Sequence, residues 1–427
     1  MDCERKGLVM TINDLRGKTV ALASSGGLDS CTVTKWMVDR GVDVVSLTGD
    51  IGQPDEVDMD DIRKRMLICG ASEAVLVDLK DDLAETAVAM LIAQARYEGG
   101  YWNTTGIARH VTTRGLLKEM TLRGIDVLVH GATGRGNDQV RFQLVANMLK
   151  PTVGVYAPWR DSAYLDMFGG RREMIDYCHM HNLPITASYE KPYSTDANFL
   201  GLTHEAGNLE SLEVAADFIE PGMGVFPMQA PDAPELFTVR LEKGHPVQIN
   251  GVDVSSVEAI LKANEIGGRN GVGIGIHAVE NRFVGIKSRG VYESPGLCLL
   301  SDCYEFLLQQ VLDRRARRFF DAISVDIAEQ IYQGYYYDLA SQMMRSALKP
   351  VANLLTGEVT VAAYKGTVTF KASKDVPHSL YSEETASMED VGDYDHRDSE
   401  GFLNVLGVSA KAEHAAGQIE KELLEGI

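Results

Sequence analysis

The chain has 427 residues, of which 45% are apolar and 24% are charged, and its formal net charge is −20. This length predicts two or three domains, and the acidic balance argues against a nonspecific nucleic-acid binder, which needs a clustered basic surface. No apolar run could span a bilayer and no signal peptide is apparent, so we expect a cytoplasmic protein without a membrane association. The six scattered cysteines form no CxxC pair and indicate neither a zinc site nor a disulfide framework.

Short apolar segments alternate with helix-like segments over the first 190 residues. The predicted strands cover 19–24, 42–48, 73–79, 126–132 and 152–158. The predicted helices cover 31–40, 56–69, 82–96 and 106–123. This alternation is typical of an α/β fold with a doubly wound parallel sheet. Because ligands bind beyond the carboxyl ends of such strands, the loops at 24–30, 49–50 and 131–138 should meet at one edge.

The pattern changes near residue 189, and we predict three parts. Residues 1–188 form a nucleotide-binding domain, and residues 189–373 form an α+β domain with hairpins at 236–254 and 357–373. Between the hairpins, a helix is predicted at 255–266 and largely helical chain at 297–356. Residues 374–427 are predicted to be an extended acidic arm to 408 and a short amphipathic helix at 409–425. That helix either packs on a partner subunit or is a frayed tail.

The segment "SSGGLDS" (24–30) lies between the first predicted strand and helix. Such a turn presents free N–H groups at the positive end of a helix dipole, which is an anion site. Gly26 and Gly27 would let a polyphosphate approach the backbone closely, and the serine hydroxyls can donate hydrogen bonds. Asp29 can cap N–H groups or hold a magnesium ion. A merely capped helix start is the alternative, and the segment matches neither a P-loop nor a dinucleotide fingerprint.

This turn resembles the pyrophosphate-binding loop of the ATP pyrophosphatases, whose fold is HUP-like. The resemblance implies that a substrate oxygen is adenylated and pyrophosphate departs. Relatives that thiolate tRNA would need a cysteine pair and a basic surface, and glutamine-fed synthetases would need an ammonia-producing domain. The sequence shows no such cysteine pair, basic surface or ammonia-producing domain.

Four further segments resemble argininosuccinate synthase, in its longer bacterial branch. They are "YWNTTGIAR" (101–109), "HGATGRGNDQVRF" (130–142), "YEKPYSTDANFLGLTHEAGNLE" (189–210) and "VENRFVGIKSRGVYESPG" (279–296). The resemblance implies a homotetrameric ligase of arginine biosynthesis that joins citrulline and aspartate, with ATP and Mg²⁺, through citrullyl-AMP. Two alternatives stay open: a paralogue that adenylates another ureido or carboxyl substrate, and a catalytically silent nucleotide-binding regulator.

The resemblance also implies roles for individual residues. For ATP they are Ala23, Ser24, Ser25, Gly26, Gly27, Leu28, Asp29, Ser30, Cys31, Gly49, Gly131, Thr133, Asp138 and Asp196. For aspartate they are Thr133, Asn137 and Asp138. For citrulline they are Tyr101, Asn137, Arg141, Ser194, Thr203, Glu205, Glu280 and Tyr292. The candidates for catalytic residues are Asp29, Asp138 and Arg141, and neither a general base nor a dedicated metal site is assigned.

Chemistry supports these roles, although each residue also has an ordinary structural interpretation. Arg141 can pair with a carboxylate, such as that of citrulline, or form a surface ion pair. Glu280 can accept hydrogen bonds from citrulline nitrogens or pair with Arg282. Two departures from the family pattern affect contacts: Cys31 replaces a serine, and Gly106 stands where shorter members carry a serine. Thr104 or Thr105 could supply the contact that Gly106 lacks.

Overall fold

The computed structural model describes residues 10–54, 58–134, 136–185, 193–387, 389 and 395–426. The chain forms two compact units, one up to His378 and one from Ser379 onward. The predicted boundary at residue 188 falls between 186 and 192, outside the described residues, so the division of the first unit into two domains stays a prediction. Within the described ranges, no helix is both long and apolar enough to cross a membrane.

The N-terminal half is built on a parallel sheet, as predicted, and its five strands have the order β3-β2-β1-β4-β5. Its strands are β1 Thr19–Ala23, β2 Asp43–Asp50, β3 Glu73–Asp78, β4 Val127–His130 and β5 Gly154–Tyr156. β1 lies at the centre, and its residues Val20, Ala21 and Leu22 are fully buried. Both faces of β1 are apolar because helices cover the sheet on both sides.

Seven helices accompany this sheet among the described residues. They are α1 Leu28–Val38, α2 Met59–Ile68, α3 Lys80–Ala93, α4 Thr104–Arg123, α5 Asp138–Leu149, α6 Ser162–Leu165 and α7 Arg171–Met180. The first helix begins three residues earlier than predicted, because Gly27 is extended and serves as its N-cap. Leu28, Asp29 and Ser30 are therefore its first turn, and their N–H groups have no partner within the helix.

Two antiparallel sheets follow within the first unit. One has the order β11-β12-β7-β6, and the other has the order β10-β9-β8-β13-β14. Their strands are β6 Ser194–Asn198, β7 Gly201–Glu205, β8 Glu235–Glu242, β9 His245–Ile249, β10 Val252–Asp253, β11 Ile274–Asn281, β12 Lys287–Glu293, β13 Gly357–Tyr364 and β14 Thr367–Lys374. Both predicted hairpins are present, and Lys243-Gly244 and Asn250-Gly251 turn with positive φ, as tight hairpins require.

The helices of this half surround one large apolar cluster that also includes α3 and α4. They are α8 Ser256–Arg269, α9 Pro295–Val311, α10 Arg314–Gln333, α11 Leu339–Ala347 and α12 Lys349–Leu354. α8 starts with a capping box between Ser255 and Glu258. α9 is the most buried of them, with Leu297, Leu300 and Leu307 fully enclosed.

The C-terminal segment differs from its prediction. Residues 374–408 are not an extended arm, because α13 Glu383–Ala386 and the first part of α14 Arg397–Ala415 fall inside them. The predicted helix at 409–425 is also wrong, since α14 ends at Ala415, where Gly417 turns with φ of 69°. Acidic residues suggested an extended arm, but Asp398 and Glu400 lie in the first turn of α14, where the helix dipole favours negative charge.

Candidate active site

The glycine turn after β1 has a backbone that only glycine adopts easily. Gly26 has φ of 70°, and a Cβ there would lie 2.9 Å from Cγ2 of Ile62 on α2. At Gly27, by contrast, the nearest atom to an added Cβ would be the Ser25 hydroxyl at 3.6 Å. Gly26 is thus required by packing and conformation, while Gly27 keeps the cleft side of the turn open.

The serine hydroxyls of this turn are largely occupied within the protein. The Ser24 hydroxyl lies 2.6 Å from that of Ser46 and 2.9 Å from that of Thr48, which ties β1 to β2. The Ser30 hydroxyl accepts a hydrogen bond from the N–H of Ser25 (3.0 Å). These bonds fix the shape of the turn, so the N–H groups that begin α1 are its main donors toward an anion.

Asp29 faces the cleft from the first turn of α1. Its carboxylate accepts a hydrogen bond from Nε1 of Trp159 (3.3 Å). Burial raises the pKa of Asp29, and neither this bond nor the charge of Arg171 reverses that effect. A buried carboxylate beside an anion-binding turn is a suitable ligand for a hard cation that bridges phosphate oxygens.

Arg109 on α4 contacts two of the predicted carboxylates at once. Its Nε lies 2.9 Å from Asp138, and its Nη2 pairs with Asp196 on β6. Asp138 also accepts a hydrogen bond from Nη1 of Arg141 (2.9 Å). Burial would raise the pKa of Asp138, but the two arginines outweigh it and lower the pKa to about 2. Asp138 is therefore charged at neutral pH and firmly held.

Arg141 is buried rather than at the surface, with 5% of its area exposed. Besides Asp138, its Nε and Nη2 donate to the main-chain carbonyl of Tyr332 (3.0 and 2.8 Å). Three of its five N–H donors are thus used, which leaves one on each terminal nitrogen. A Cβ on Gly106 would lie 3.3 Å from Cζ of Arg141, so the glycine at this position lets the guanidinium pack against α4.

Glu280 lies among tyrosines and does not pair with Arg282. Its two oxygens accept hydrogen bonds from the hydroxyls of Tyr292 and Tyr332, each at 2.8 Å. Arg282 instead approaches Glu205, with 3.4 Å between Nη2 and Oε2. Tyr292 stacks on Tyr101 with 3.7 Å between ring centres. Glu280 is thus a fixed, buried acceptor.

Thr105 takes a place beside the predicted residues. Its hydroxyl lies 3.0 Å from that of Thr203 on β7, and its N–H donates to the Tyr101 hydroxyl (3.2 Å). Thr104, the other candidate neighbour of Gly106, is fully buried. Thr105 is therefore the threonine available to the cleft.

One cleft of about 860 Å³ joins most of the predicted residues. Those that line it are Ala23, Ser24, Ser25, Gly27, Leu28, Asp29, Ser30, Gly49, Tyr101, Gly131, Thr133, Asn137, Asp138, Arg141, Asp196, Thr203, Glu205, Glu280 and Tyr292. Gly26, Cys31 and Ser194 lie outside this lining, and Cys31 is fully buried, with its thiol directed to the Gly26 carbonyl (3.6 Å).

The lining also contains residues that the motifs did not single out. The principal ones are Arg65, Arg109, Arg171, Arg282 and Tyr332. The arginines among them, with Arg141, balance the five carboxylates of the lining, although the whole chain is acidic. Arg109 is the last residue of the motif "YWNTTGIAR", so the sequence could have indicated it. Its pairing with Asp138 and Asp196, which lie far along the chain, could not be predicted.

Two family models match the chain: the arginosuccinate synthase N-terminal HUP domain over residues 19–184, and the arginosuccinate synthase C-terminal domain over residues 193–413. The chain belongs to the argininosuccinate synthase family. The argininosuccinate synthase of Rhodopirellula baltica is 42% identical over 398 residues, which cover 93% of this chain and 98% of that relative. Argininosuccinate synthases of Thermotoga sp. (36%, covering 92% and 96%) and Lachnospira eligens (35%, covering 94% and 98%) are similar over comparable lengths.

Membership of the argininosuccinate synthase family confirms the predicted HUP-like domain and the predicted activity. The chain is an ATP-dependent carbon–nitrogen ligase of arginine biosynthesis that joins citrulline to aspartate. The two alternatives, a paralogue with another ureido or carboxyl substrate and a silent nucleotide-binding regulator, are not favoured.

Proposed function

We propose that this one cleft holds all three substrates and ligates citrulline to aspartate through citrullyl-AMP. A single observation carries the proposal: the cleft brings together the glycine turn after β1, the start of α5 with Asn137, Asp138 and Arg141, and the buried Glu280. These groups suit a polyphosphate, a dicarboxylate and a zwitterionic amino acid respectively.

ATP lies along the carboxyl ends of β1, β2 and β4 in this proposal. The N–H groups that begin α1 bind the β- and γ-phosphates, and Gly27 leaves room for them. Gly49, Gly131 and Thr133 line the remainder of the nucleotide site. The Asp29 carboxylate fits the Mg²⁺ that accompanies ATP, which would supply positive charge to the leaving pyrophosphate.

Citrulline lies between Arg141 and Glu280. The two N–H groups that remain on Arg141 can receive its carboxylate. Glu280, fixed by two tyrosine hydroxyls, accepts a hydrogen bond from the amino group of citrulline. Thr203 and Thr105 lie beside the substrate in this proposal. Tyr101 and Tyr292 form an aromatic wall against its aliphatic chain.

Aspartate lies near the start of α5, next to Thr133 and Asn137. The Oδ1 of Asn137 already accepts from the N–H of Phe283 (3.1 Å), so its amide NH₂ group is oriented to donate. The free N–H groups at the N-terminus of α5 favour a carboxylate there. Asp138, held charged by two arginines, can accept a hydrogen bond from the amino group of aspartate.

The reaction follows from these positions. The ureido oxygen of citrulline attacks the α-phosphorus, and the α–β bridging bond breaks to release pyrophosphate. The amino group of aspartate then attacks the activated ureido carbon, and AMP leaves with the former ureido oxygen. The residues act by orientation and charge stabilisation, because catalysis of this kind depends on preorganised dipoles and charges.

Three further features belong to this proposal. The chain up to residue 188 and residues 189–373 act as nucleotide-binding and synthetase domains. The enzyme is a cytoplasmic homotetramer. Its C-terminal segment, 374–427, contributes to the assembly through the exposed apolar side chains of α14, among them Phe402 and Leu406.

Pyrophosphate release tests the proposed function. The full chain should release pyrophosphate with ATP and citrulline and should form AMP and argininosuccinate when aspartate is added. Omission of citrulline should abolish the release. Equal release without citrulline, or release that requires another ureido or carboxyl compound, would contradict the proposal.

A further inference from the structure

Tyr332 lies in the last turn of α10 and lines the cleft, although no motif pointed to it. The helix ends there because Gly334 adopts φ of 101°, and the N–H groups of Gly334 and Tyr335 both donate to the carbonyl of Gln330 (3.2 and 2.8 Å). Such an ending leaves the last carbonyls of a helix without intrahelical donors. The Tyr332 carbonyl is therefore open to a cation from another element, and the helix dipole favours one.

Arg141 occupies this position. Its Nε and Nη2 both donate to the Tyr332 carbonyl, and its Cζ lies 5.2 Å from the centre of the Tyr332 ring. A Cβ on Gly334 would lie 3.4 Å from Cα of Arg141, so the end of α10 packs directly on α5. The direction of the Arg141 guanidinium is thus set by the main chain of Tyr332.

The side chain of the same residue holds Glu280. Its hydroxyl donates to Oε1 of Glu280 (2.8 Å), and its ring stacks on Tyr97 at 3.9 Å between centres and 12° between planes. The stacked ring fixes where the hydroxyl lies. One residue therefore contacts both the cation and the anion between which the amino-acid substrate is placed.

We propose that Tyr332 is a positioning residue for citrulline: it sets the relative positions of Arg141 and Glu280, the charged pair that a zwitterionic amino acid matches. This inference rests on the proposed function, because it deepens the account of the same cleft. The carbonyl positions Arg141, and the hydroxyl positions Glu280. Removal of the hydroxyl alone should therefore impair citrulline recognition and leave ATP recognition intact.

The test compares Tyr332→Phe with Tyr97→Phe. Tyr332→Phe keeps the ring stack and the main-chain carbonyl but leaves Oε1 of Glu280 with only the longer hydrogen bond from the Ser288 hydroxyl (3.5 Å). Loss of a hydrogen bond to a charged group should raise the KM for citrulline roughly tenfold or more. The KM for ATP and the thermal unfolding temperature should stay at wild-type values. Tyr97→Phe removes the neighbouring hydroxyl, which donates to the Asn281 carbonyl (2.9 Å), and should leave all three KM values unchanged.

A double-mutant cycle with Glu280→Gln separates positioning from general structure. If the hydroxyl acts through Glu280, Tyr332→Phe should have little further effect on the citrulline KM in the Glu280→Gln chain. Additive effects of the two substitutions would overturn the inference. An equal rise in the KM for all three substrates in Tyr332→Phe, or failure of that chain to fold, would also overturn the inference. The hydroxyl would then be needed for the structure as a whole.

Citrulline-dependent pyrophosphate release by the wild-type chain distinguishes a failure of this inference from a failure of the proposed function. A wild-type chain without citrulline-dependent pyrophosphate release would contradict the proposed function, and the inference would fall with it. A wild-type chain with such release, beside a Tyr332→Phe variant with the wild-type citrulline KM, would contradict the inference alone.

Discussion

The guanidinium of Arg109 lies 2.9 Å from the carboxylate of Asp138 through Nε, and it also pairs with Asp196 through Nη2. Without this cation, Asp138 would keep Arg141 but both carboxylates would lose the Arg109 charge, in a cleft that must accept a triphosphate and a dicarboxylate. Arg109→Gln should therefore lower kcat/KM for both ATP and aspartate by on the order of a hundredfold. Steady-state kinetics with each substrate varied in turn measures this effect.

Arg114→Gln is the matched control for Arg109→Gln. Arg114 lies on the same helix and pairs with Asp82 (3.2 Å), outside the lining of the cleft. Exposed ion pairs contribute little, so kinetics should stay near wild type. If Arg109→Gln retains its ATP and aspartate kinetics, the role assigned to Arg109 is wrong.

Asp29→Asn should abolish turnover without destabilising the fold. Burial raises the pKa of Asp29, so its charged form is disfavoured in the folded protein, and the neutral amide removes that cost. Stability at neutral pH should therefore be unchanged or higher, while pyrophosphate release is lost. Near-normal turnover of a folded Asp29→Asn chain would exclude a role for this carboxylate with phosphate or magnesium.

Asp39→Asn provides the control for Asp29→Asn at the other end of α1. Asp39 pairs with Lys35 (2.6 Å) and accepts from the Tyr177 hydroxyl (3.2 Å), away from the cleft. Its replacement should lower the melting temperature slightly and leave turnover unchanged. The opposite signs of the two effects distinguish a functional carboxylate from a structural one.

The buried His110 should make the fold sensitive to mild acid. Burial lowers the pKa of His110 from 6.5 to about 4. When the pH falls below about 6.5, His110 is protonated in the unfolded chain, but in the folded chain it stays neutral until the pH approaches 4. Protonation therefore favours the unfolded chain, and the protein loses stability between these two pH values. Between about pH 7.5 and about pH 5 the contribution of His110 to this loss should be roughly 2 kcal/mol.

Urea titrations of wild type and His110→Asn at the two pH values measure this loss. Asparagine can replace the Nδ1 hydrogen bond to the Gly106 carbonyl (2.7 Å) but does not titrate. The variant should lose less stability than wild type over the same interval. An identical pH dependence in both chains would contradict a lowered pKa of His110 in the folded protein.

The apolar face of α14 should hold subunits together. Phe402 and Leu406 are four residues apart, on one side of the helix, with 63% and 54% of their surface exposed. Replacement of both by aspartate, or deletion of 374–427, should lower the oligomeric state or the melting temperature, as light scattering and calorimetry report. Glu413→Gln on the same helix is the control. Unchanged assembly of the double variant would exclude this face from the interface.

The sequence was sufficient to predict the parallel sheet and the glycine turn, because both depend on local patterns. Apolar strands such as Val20–Leu22, the adjacent glycines and the following helix are contiguous in the chain. The hairpins at Lys243-Gly244 and Asn250-Gly251 were predictable for the same reason, since turn residues determine their geometry. Similarity to a family then indicated the residues of the cleft.

The contacts that organise the cleft could not be predicted, because their partners are distant in sequence. Arg109 meets Asp196, and Arg141 meets the carbonyl of Tyr332, 191 residues away. The C-terminal helix was misplaced for a different reason: acidic composition suggested an extended arm, although Gly417 ends the helix. Local composition does not show which apolar residues share a helix face.

The route of the ureido oxygen tests the central claim most directly. Citrulline labelled with ¹⁸O in its ureido group is incubated with the full chain, ATP and aspartate, and the AMP product is analysed by mass spectrometry. If citrulline attacks the α-phosphorus in this cleft, the label appears in the phosphate of AMP. Unlabelled AMP beside argininosuccinate would contradict the citrullyl-AMP intermediate and with it the proposed arrangement of substrates.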